Sequence, residues 1–496
     1  MRSVAPPCRR NASQLVRQRF ANTRGGLILS SHDNLHVAID MKSFVIILLV
    51  VAGVLATNIA WPASSREFFV DSRLGDDRSD GRSENSPWQT LDRVHAADLL
   101  PGDQVRFRCG GEWRGTLKPK SGAPGRPVVY TSYGQGPKPK FMQAKNVSRP
   151  EDWFEDAPGI WSTVTNGLTC HVGNILFNGG ERCGRMKFLV PTWTPPVWKS
   201  RRWTGMNALT HELDYCNDVS NGLVRVKCAA NPAKRFHSIE LALGRTIVQF
   251  HHAHDVVFDG LHVTIGGLHG FQGAITKRLT FRNCDVSWIG GTIYIWLENR
   301  DGTLFAPERL GNGIEFYNNC DGHVVENCRI WEIYDAAITN QGRDHDQRNL
   351  VYRNNRIWNS EYSYEYWCDG VVSNIVFEKN VCTDAGCGWA HAQRPNPNGS
   401  HFMNYPHVTK RVKDFVVRDN VFSNATEWVY RFGYDWRDAL RVHGNKVWCT
   451  PGRPAVFWTA PDGEITFYRP DEYNRALGFD DEVMRHPAIH HMGKTP

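Results

Sequence analysis

Two short segments carry residues suited to acid–base chemistry at matching positions. GIEFYN (313–318) superposes on SYEYWC (363–368), which aligns Glu315 with Glu365, and DAAITNQ (335–341) sets Thr339 between them. Neighbouring strands lie about 4.8 Å apart, so two strand steps would separate the glutamate backbones by about 9.6 Å. Side chains leaning together would bring the carboxyls to about 6–9 Å. At that spacing one protonated acid can serve a leaving group while the other carboxylate activates water. Outward residues alternate along a strand, which adds Tyr317, Gln341 and Trp367 to the same face. Tyr364, Tyr366 and Trp389 supply further aromatic surface for the apolar faces of sugar rings. Asp335, His391, Gln393 and Arg394 are the candidates to orient or bind the sugar.

Plainer roles compete for each of these residues. Either glutamate can pair with a Lys or Arg on its own face, a contact that contributes little at a surface. Asp335 stands where one strand turns into the next and can cap a corner, and His391 can be a buried polar corner. Asp344, His345 and Asp346 in GRDHDQRN (342–349) read as a solvated loop, with Ca²⁺ binding or an acid role as the alternative.

The elements that position these residues belong to an internal repeat. HDVVFDGLHV (254–263), RLTFRNCDV (278–286), HVVENCRIW (323–331), LVYRNNRIW (350–358), NIVFEKNVC (374–382), DFVVRDNVF (414–422) and LRVHGNKVW (440–448) share one form. Superposition puts Leu261, Cys284, Cys328, Asn355, Asn380, Asn420 and Asn445 in a single column, with insertions after 284 and 380. A second strand follows in each coil: HGFQGAI, GNGIEFYN, DAAITNQ, YSYEYWC, CGWAHAQ, TEWVYRF and AVFWTA. Regular recurrence of short β-branched and aromatic strands predicts stacked coils with one continuous core. The Leu-x-x-Leu-x-Leu spacing of a leucine-rich repeat is missing. Inward Asn residues at one corner predict an amide ladder, which a β-sandwich would not. The expected fold is an all-β parallel β-helix over 246–465.

The chain before residue 65 reads as a leader. Residues 1–40 are Arg-rich and aperiodic, and Met41-Lys42 precedes the apolar run FVIILLVVAGVLA (44–56). That run is shorter than the roughly 20 residues of a bilayer span and has the length of a signal-peptide core. Translation is expected from Met41, with 1–40 an upstream extension and 41–64 a signal peptide; a long N-region or signal anchor is the alternative. Of 13 cysteines, only Cys8 lies in the leader, and the even remainder suits an oxidising compartment. Cys284 and Cys328, one coil apart, can form a disulfide or an inert thiol stack. Lys+Arg exceed Asp+Glu by 58 to 51, a mild balance without a basic run, so no nucleic-acid partner is expected. No zinc-ligand spacing is present, and a monomer is expected.

After the leader, GDDRSDGRSENSPWQTL (75–91) and PGDQVRFRCGGEWRG (101–115) resemble the opening of secreted right-handed parallel β-helix proteins of the pectate-lyase-like superfamily. The resemblance covers residues 66–460 and implies that a helix near Trp88–Ala97 caps the first coil, whose edge would otherwise offer unpaired backbone. Residues 65–150 then hold the cap and first coils, and 151–245 an inserted elaboration. FLVPTWTPPVWKSRRW (188–203) within that insertion reads as a surface loop, or as a lid or subsite wall. The C-terminal tail is placed over 466–496, and its stretch FDDEVMRHPAIHHMGKTP (479–496) is expected to hold little structure. The acidic Gly75–Asp80 loop reads as a solvated turn rather than a Ca²⁺ loop, so no metal or cofactor is expected.

This fold hosts many reactions. The expectation is an exported, polysaccharide-active glycoside hydrolase with Glu315 and Glu365 as acid and base. The resemblance also implies an alternative, a uronate lyase or epimerase in which Arg394, with His391 or Tyr366, takes the proton alpha to a uronate carboxylate. A non-catalytic carbohydrate-binding surface protein is the third reading.

Overall fold

The computed structural model describes residues 65–165, 170–187, 205–219, 221–298, 304–342, 345–368, 370–394, 397–404, 412–433, 439–460 and 463–484. The expected leader over 1–64 and the aromatic-basic stretch 188–203 lie outside the described residues. Among the described residues, no helix is long and apolar enough to cross a membrane.

The repeats stack as a parallel β-helix. Thr280, Val324, Val351, Val376, Val416 and Arg441 follow one another across parallel strands, one per coil. A second wall runs Asp285, Arg329, Arg356, Val381 and Val421. The third runs Ile314, Ile338, Tyr364, Phe402 and Tyr430. Each corner needs a left-handed residue, which favours Asn, Asp and Gly. One corner column reads Asn283, Asn327, Asn354, Lys379, Asp419 and Gly444, all with positive φ. One continuous core fills the coil from Phe68 to Phe479. Its rings stack from coil to coil, as in Phe258–Phe281 at 5.1 Å and Tyr364–Phe402 at 5.1 Å.

The amide ladder is present. Backbone N–H groups of Asn355, Asn380 and Asn420 donate to Oδ1 of Asn380, Asn420 and Asn445 at 3.0, 2.9 and 2.9 Å. Each Nδ2 donates in turn, Asn380 to Asn420 at 3.1 Å and Asn420 to Asn445 at 2.8 Å. Buried amides must be satisfied, and the last one is: Asn445 Nδ2 donates to Asp481 Oδ1 at 2.7 Å. Cys284 and Cys328 continue the column as free buried thiols, so the stack holds and the disulfide does not.

Both ends of the coil are built. Thr90 accepts from Arg93 N–H at the start of helix Leu91–Ala96, and Trp88 stacks on Phe68 at 4.7 Å. The carboxylates of the 75–80 loop are spent on the turn itself. Asp77 accepts from Gln89 N–H and Thr90 N–H, while Asp76 pairs with Arg78. At the other end the tail departs from expectation. It forms helix Tyr473–Leu477 and strand Asp480–Val483, which adds parallel to Leu440–Trp448. Buried Tyr473, Leu477 and Phe479 supply the apolar face that fixes it. Strand Ile465–Tyr468 turns back antiparallel on Val456–Thr459.

The inserted middle carries a separate mixed sheet, ordered Arg185–Met186, Asp214–Asp218, Leu223–Lys227, Ile160–Val164, Phe154–Ala157, antiparallel except for the parallel pairing of its first two strands. Other strands of the insertion extend the coil's own sheet: Ile239–Leu243 pairs antiparallel with both Lys140–Asn146 and Val172–Phe177. A hairpin, Thr292–Glu298 with Leu304–Leu310, leaves the coil between Gly290 and Gly311. The two glycines approach so closely that a Cβ on Gly311 would lie 2.0 Å from Gly290 Cα. No other residue permits that crossing.

Candidate active site

Strand register places Gln272, Glu315, Thr339, Glu365, Met403 and Arg431 in one outward column. Glu315 and Glu365 are therefore two coils apart with Thr339 between them. They line a cleft of about 720 Å³ together with Tyr317, Asp335, Gln341, Trp367 and Arg394.

The two glutamates have different surroundings. Both are buried, and both take their donors from amides, a hydroxyl and an imidazole rather than from a Lys or Arg on the face. Glu315 Oε2 accepts from Asn312 Nδ2 at 2.7 Å, and its Oε1 from Gln272 Nε2 at 3.3 Å. His269 Nδ1 lies 3.2 Å from Glu315 Oε2 and also 3.2 Å from the Asn312 backbone N. A single ring nitrogen cannot serve both: a bare Nδ1 accepts from Asn312 N–H, and an Nδ1 that carries a proton donates to Glu315.

Glu365 Oε2 accepts from Thr339 Oγ1 at 3.0 Å and Gln341 Nε2 at 2.8 Å. Burial, and secondarily the negative charge of Asp335, push its carboxyl up to about 8, which these two donors only partly oppose. Glu365 is thus held as a neutral acid near neutral pH.

Asp335 does not simply cap its corner. It faces the cleft, and Arg394 Nη1 donates to it at 3.0 Å and to the Tyr334 carbonyl at 2.8 Å. Burial raises the Asp335 carboxyl, with Arg394 opposing and Glu361 reinforcing. Arg394 lies between the rings of Tyr334 and Tyr362, at 5.0 and 5.6 Å. A guanidinium so enclosed is an internal counter-ion.

Five expected contacts are not made. Tyr364 and Tyr366 point into the coil and are fully buried, because the alternation that turns Glu365 outward turns both its neighbours inward. Trp389 lies outside the cleft lining, with its indole N–H donating to the Glu332 carbonyl at 3.1 Å. Gln393 ties the insertion to the coil, accepting from Met186 N–H and donating to the Gly184 carbonyl. His391 stands behind the cleft, its Nδ1 3.1 Å from Glu361 Oε2. Of the loop over 342–349, Asp344 lies outside the described residues, and Asp346 accepts from Val371 N–H.

Several cleft residues were not anticipated: His269, Gln272, Asn312, Tyr362, Tyr294 and Glu308. A signal for the first four was present. Extending the register sets His269, Asn312, Ala336 and Tyr362 in a column three residues ahead of Gln272, Glu315, Thr339 and Glu365. Tyr294 and Glu308 come from the hairpin, whose path the repeat does not encode.

No family model matches the chain. A curated lacto-N-biosidase of Bifidobacterium longum subsp. longum is 33% identical over 99 residues, which is 19% of this chain and 6% of that protein. Among solved structures, one described as a glycoside hydrolase aligns over 81% of this chain and 97% of its own, at TM-score 0.49 and 11% identity. A lacto-N-biosidase from Eubacterium ramulus aligns over 85% of this chain and 68% of its own, at TM-score 0.38 and 12% identity. A pectate lyase aligns over 80% and 77%, at TM-score 0.41 and 11% identity. The coil's own strand register, rather than these distant likenesses, establishes the parallel β-helix.

Proposed function

We propose that this chain is an exported glycoside hydrolase that cleaves a neutral glycan with inversion, Glu365 acting as general acid and Glu315 as general base. The observation that carries the reading is the column Glu315–Thr339–Glu365, in which two equivalent carboxyls have unlike surroundings. Both donors to Glu365 meet Oε2, so the acid proton sits on Oε1 and can pass to the glycosidic oxygen. Glu315 receives a proton from water entering on the other side of the sugar ring. Two strand steps set the glutamate backbones about 9.6 Å apart; carboxyls held at about 6.5–9.5 Å would leave room for that water, whereas a covalent route needs them about 5–5.5 Å apart.

A neutral substrate fits the charges. The cleft offers Glu308, Glu315, Asp335 and Glu365, and its guanidinium, Arg394, is already paired with Asp335. A uronate carboxylate would enter beside four carboxyl groups with that cation engaged, which disfavours a lyase. The 99-residue likeness to a lacto-N-biosidase supports a glycosidase, and the expected signal segment supports export.

The test is a screen of purified protein on neutral and acidic glycans, following reducing ends and near-ultraviolet absorbance together, with NMR of the first anomer released. Reducing ends without absorbance, an inverted anomer, and loss of both on Glu365→Gln are expected. Absorbance rising with the reducing ends would establish a lyase and overturn the reading.

A further inference from the structure

The hairpin beside the cleft contains a β-bulge. Ile293 pairs with Arg309 and Ile295 with Glu308, so Tyr294 is the extra residue on its strand. A bulge re-aims a side chain and recurs beside active sites. The cross-strand pair on one side of the distortion is anchored. Ile293 is buried as a member of the insertion's apolar cluster, which also holds Tyr215 and Leu243. Arg309, also buried, donates to the carbonyls of Gly291, Gln393 and Gly173 at 2.7, 3.1 and 3.4 Å. Its guanidinium also stacks on Tyr334 at 4.7 Å. Tyr294 is the opposite case: it is 62% exposed, yet lines the cleft.

An aromatic ring left in water on a rigid mount, at the rim of a cleft rich in acceptors, has the form of a binding platform. Its flat face suits the C–H face of a pyranose ring, and a tyrosine presents large amphipathic area at low entropic cost. Glu308, its neighbour across the bulge, adds an acceptor for a ring hydroxyl. We propose that Tyr294 is the stacking platform of a sugar subsite next to the scissile bond, with Glu308 fixing the orientation of the same neutral pyranose unit. This rests on the neutral-glycan reading above and adds the residues that select the sugar. It also assigns the hairpin a purpose: the coil supplies the carboxyls, and the hairpin supplies the wall.

The experiment uses the Glu365→Gln protein, which should bind without turnover, titrated calorimetrically with cellotetraose, xylotetraose, chitotetraose and galacturonate tetramer. At least one neutral tetrasaccharide should bind in preference to the galacturonate tetramer. Adding Tyr294→Ala should weaken that binding about tenfold, the effect of one aromatic contact, while Tyr294→Phe and Tyr294→Trp stay within about twofold. Thermal midpoints should be unchanged, because the side chain is exposed. Neutral binding that is indifferent to Tyr294→Ala would overturn the platform and leave the hydrolase standing. Binding of the galacturonate tetramer alone, or of no sugar in the set, would overturn the neutral-glycan reading and the platform with it.

Discussion

Thr339 stands between Glu315 and Glu365 in the sheet, and its hydroxyl donates to Glu365 at 3.0 Å. A hydrogen bond to the charged form of a carboxyl favours that form. Thr339 and Gln341 therefore moderate an acid that burial would push further up. Gln341→Leu should move the alkaline limb of the kcat/KM profile to higher pH, and Thr339→Val should do the same. A profile that stays in place in both variants would show that Glu365 is not the group titrating.

Glu365→Gln keeps the shape and the buried contacts but has no proton to give. Turnover should fall by about 10²–10⁴-fold, the usual contribution of a general acid, with the circular-dichroism spectrum unchanged. In the parent protein, activity should decline as pH rises through about 8, where Glu365 loses its proton.

The same group links stability to pH. Its value in the folded chain lies above its ordinary 4.5, at about 8, so the folded state holds the proton more tightly. That contribution is complete below the unfolded value and is lost as pH rises through the folded one. The melting temperature should fall across that window, and Glu365→Gln should flatten the fall. An unchanged slope would mean that Glu365 is not the group responsible.

Arg394→Ala would leave the buried carboxyl of Asp335 without its ion-pair partner, while Glu361 keeps His391 and the Asn398 N–H. Removing one partner of a buried pair costs about 3–5 kcal/mol, so a large drop in urea midpoint is expected. Loss of activity in this variant alone would therefore not identify a lyase base. A variant as stable as the parent would refute the counter-ion role.

The amide ladder provides a separate test of the fold. Asn380→Ala removes the acceptor for Asn355 N–H and the donor to Asn420 Oδ1. An unsatisfied buried group costs about 1–3 kcal/mol. Stability should drop by that order, with kcat unchanged well below the melting transition.

The parts of this structure that were legible in the sequence are those fixed by register. Asn355, Asn380, Asn420 and Asn445 recur because an inward amide at one corner must meet its copy in the next coil. Glu315 and Glu365 could be aligned for the same reason. The same rule, applied one residue either side, would have turned Tyr364 and Tyr366 inward; an aromatic-rich run obscured the alternation. Trp389 and Gln393 were misassigned for another reason. Trp389 meets Glu332, which stands on an earlier coil, and Gln393 meets Met186 and Gly184, which the insertion brings to it; no local spacing reports either contact. Asp481 closes the ladder from a segment with no repeat character at all.

The antiparallel return of Ile465–Tyr468 on Val456–Thr459 also bears on how the molecule behaves in a crowd. A pile of in-register parallel strands is a growth template, and an open terminal rung would invite a second molecule to continue it. Reversing the last strand on this wall presents an incoming chain with the opposite polarity, so the pattern that built the coil is not continued there. On this wall the topology itself denies a second copy a parallel template.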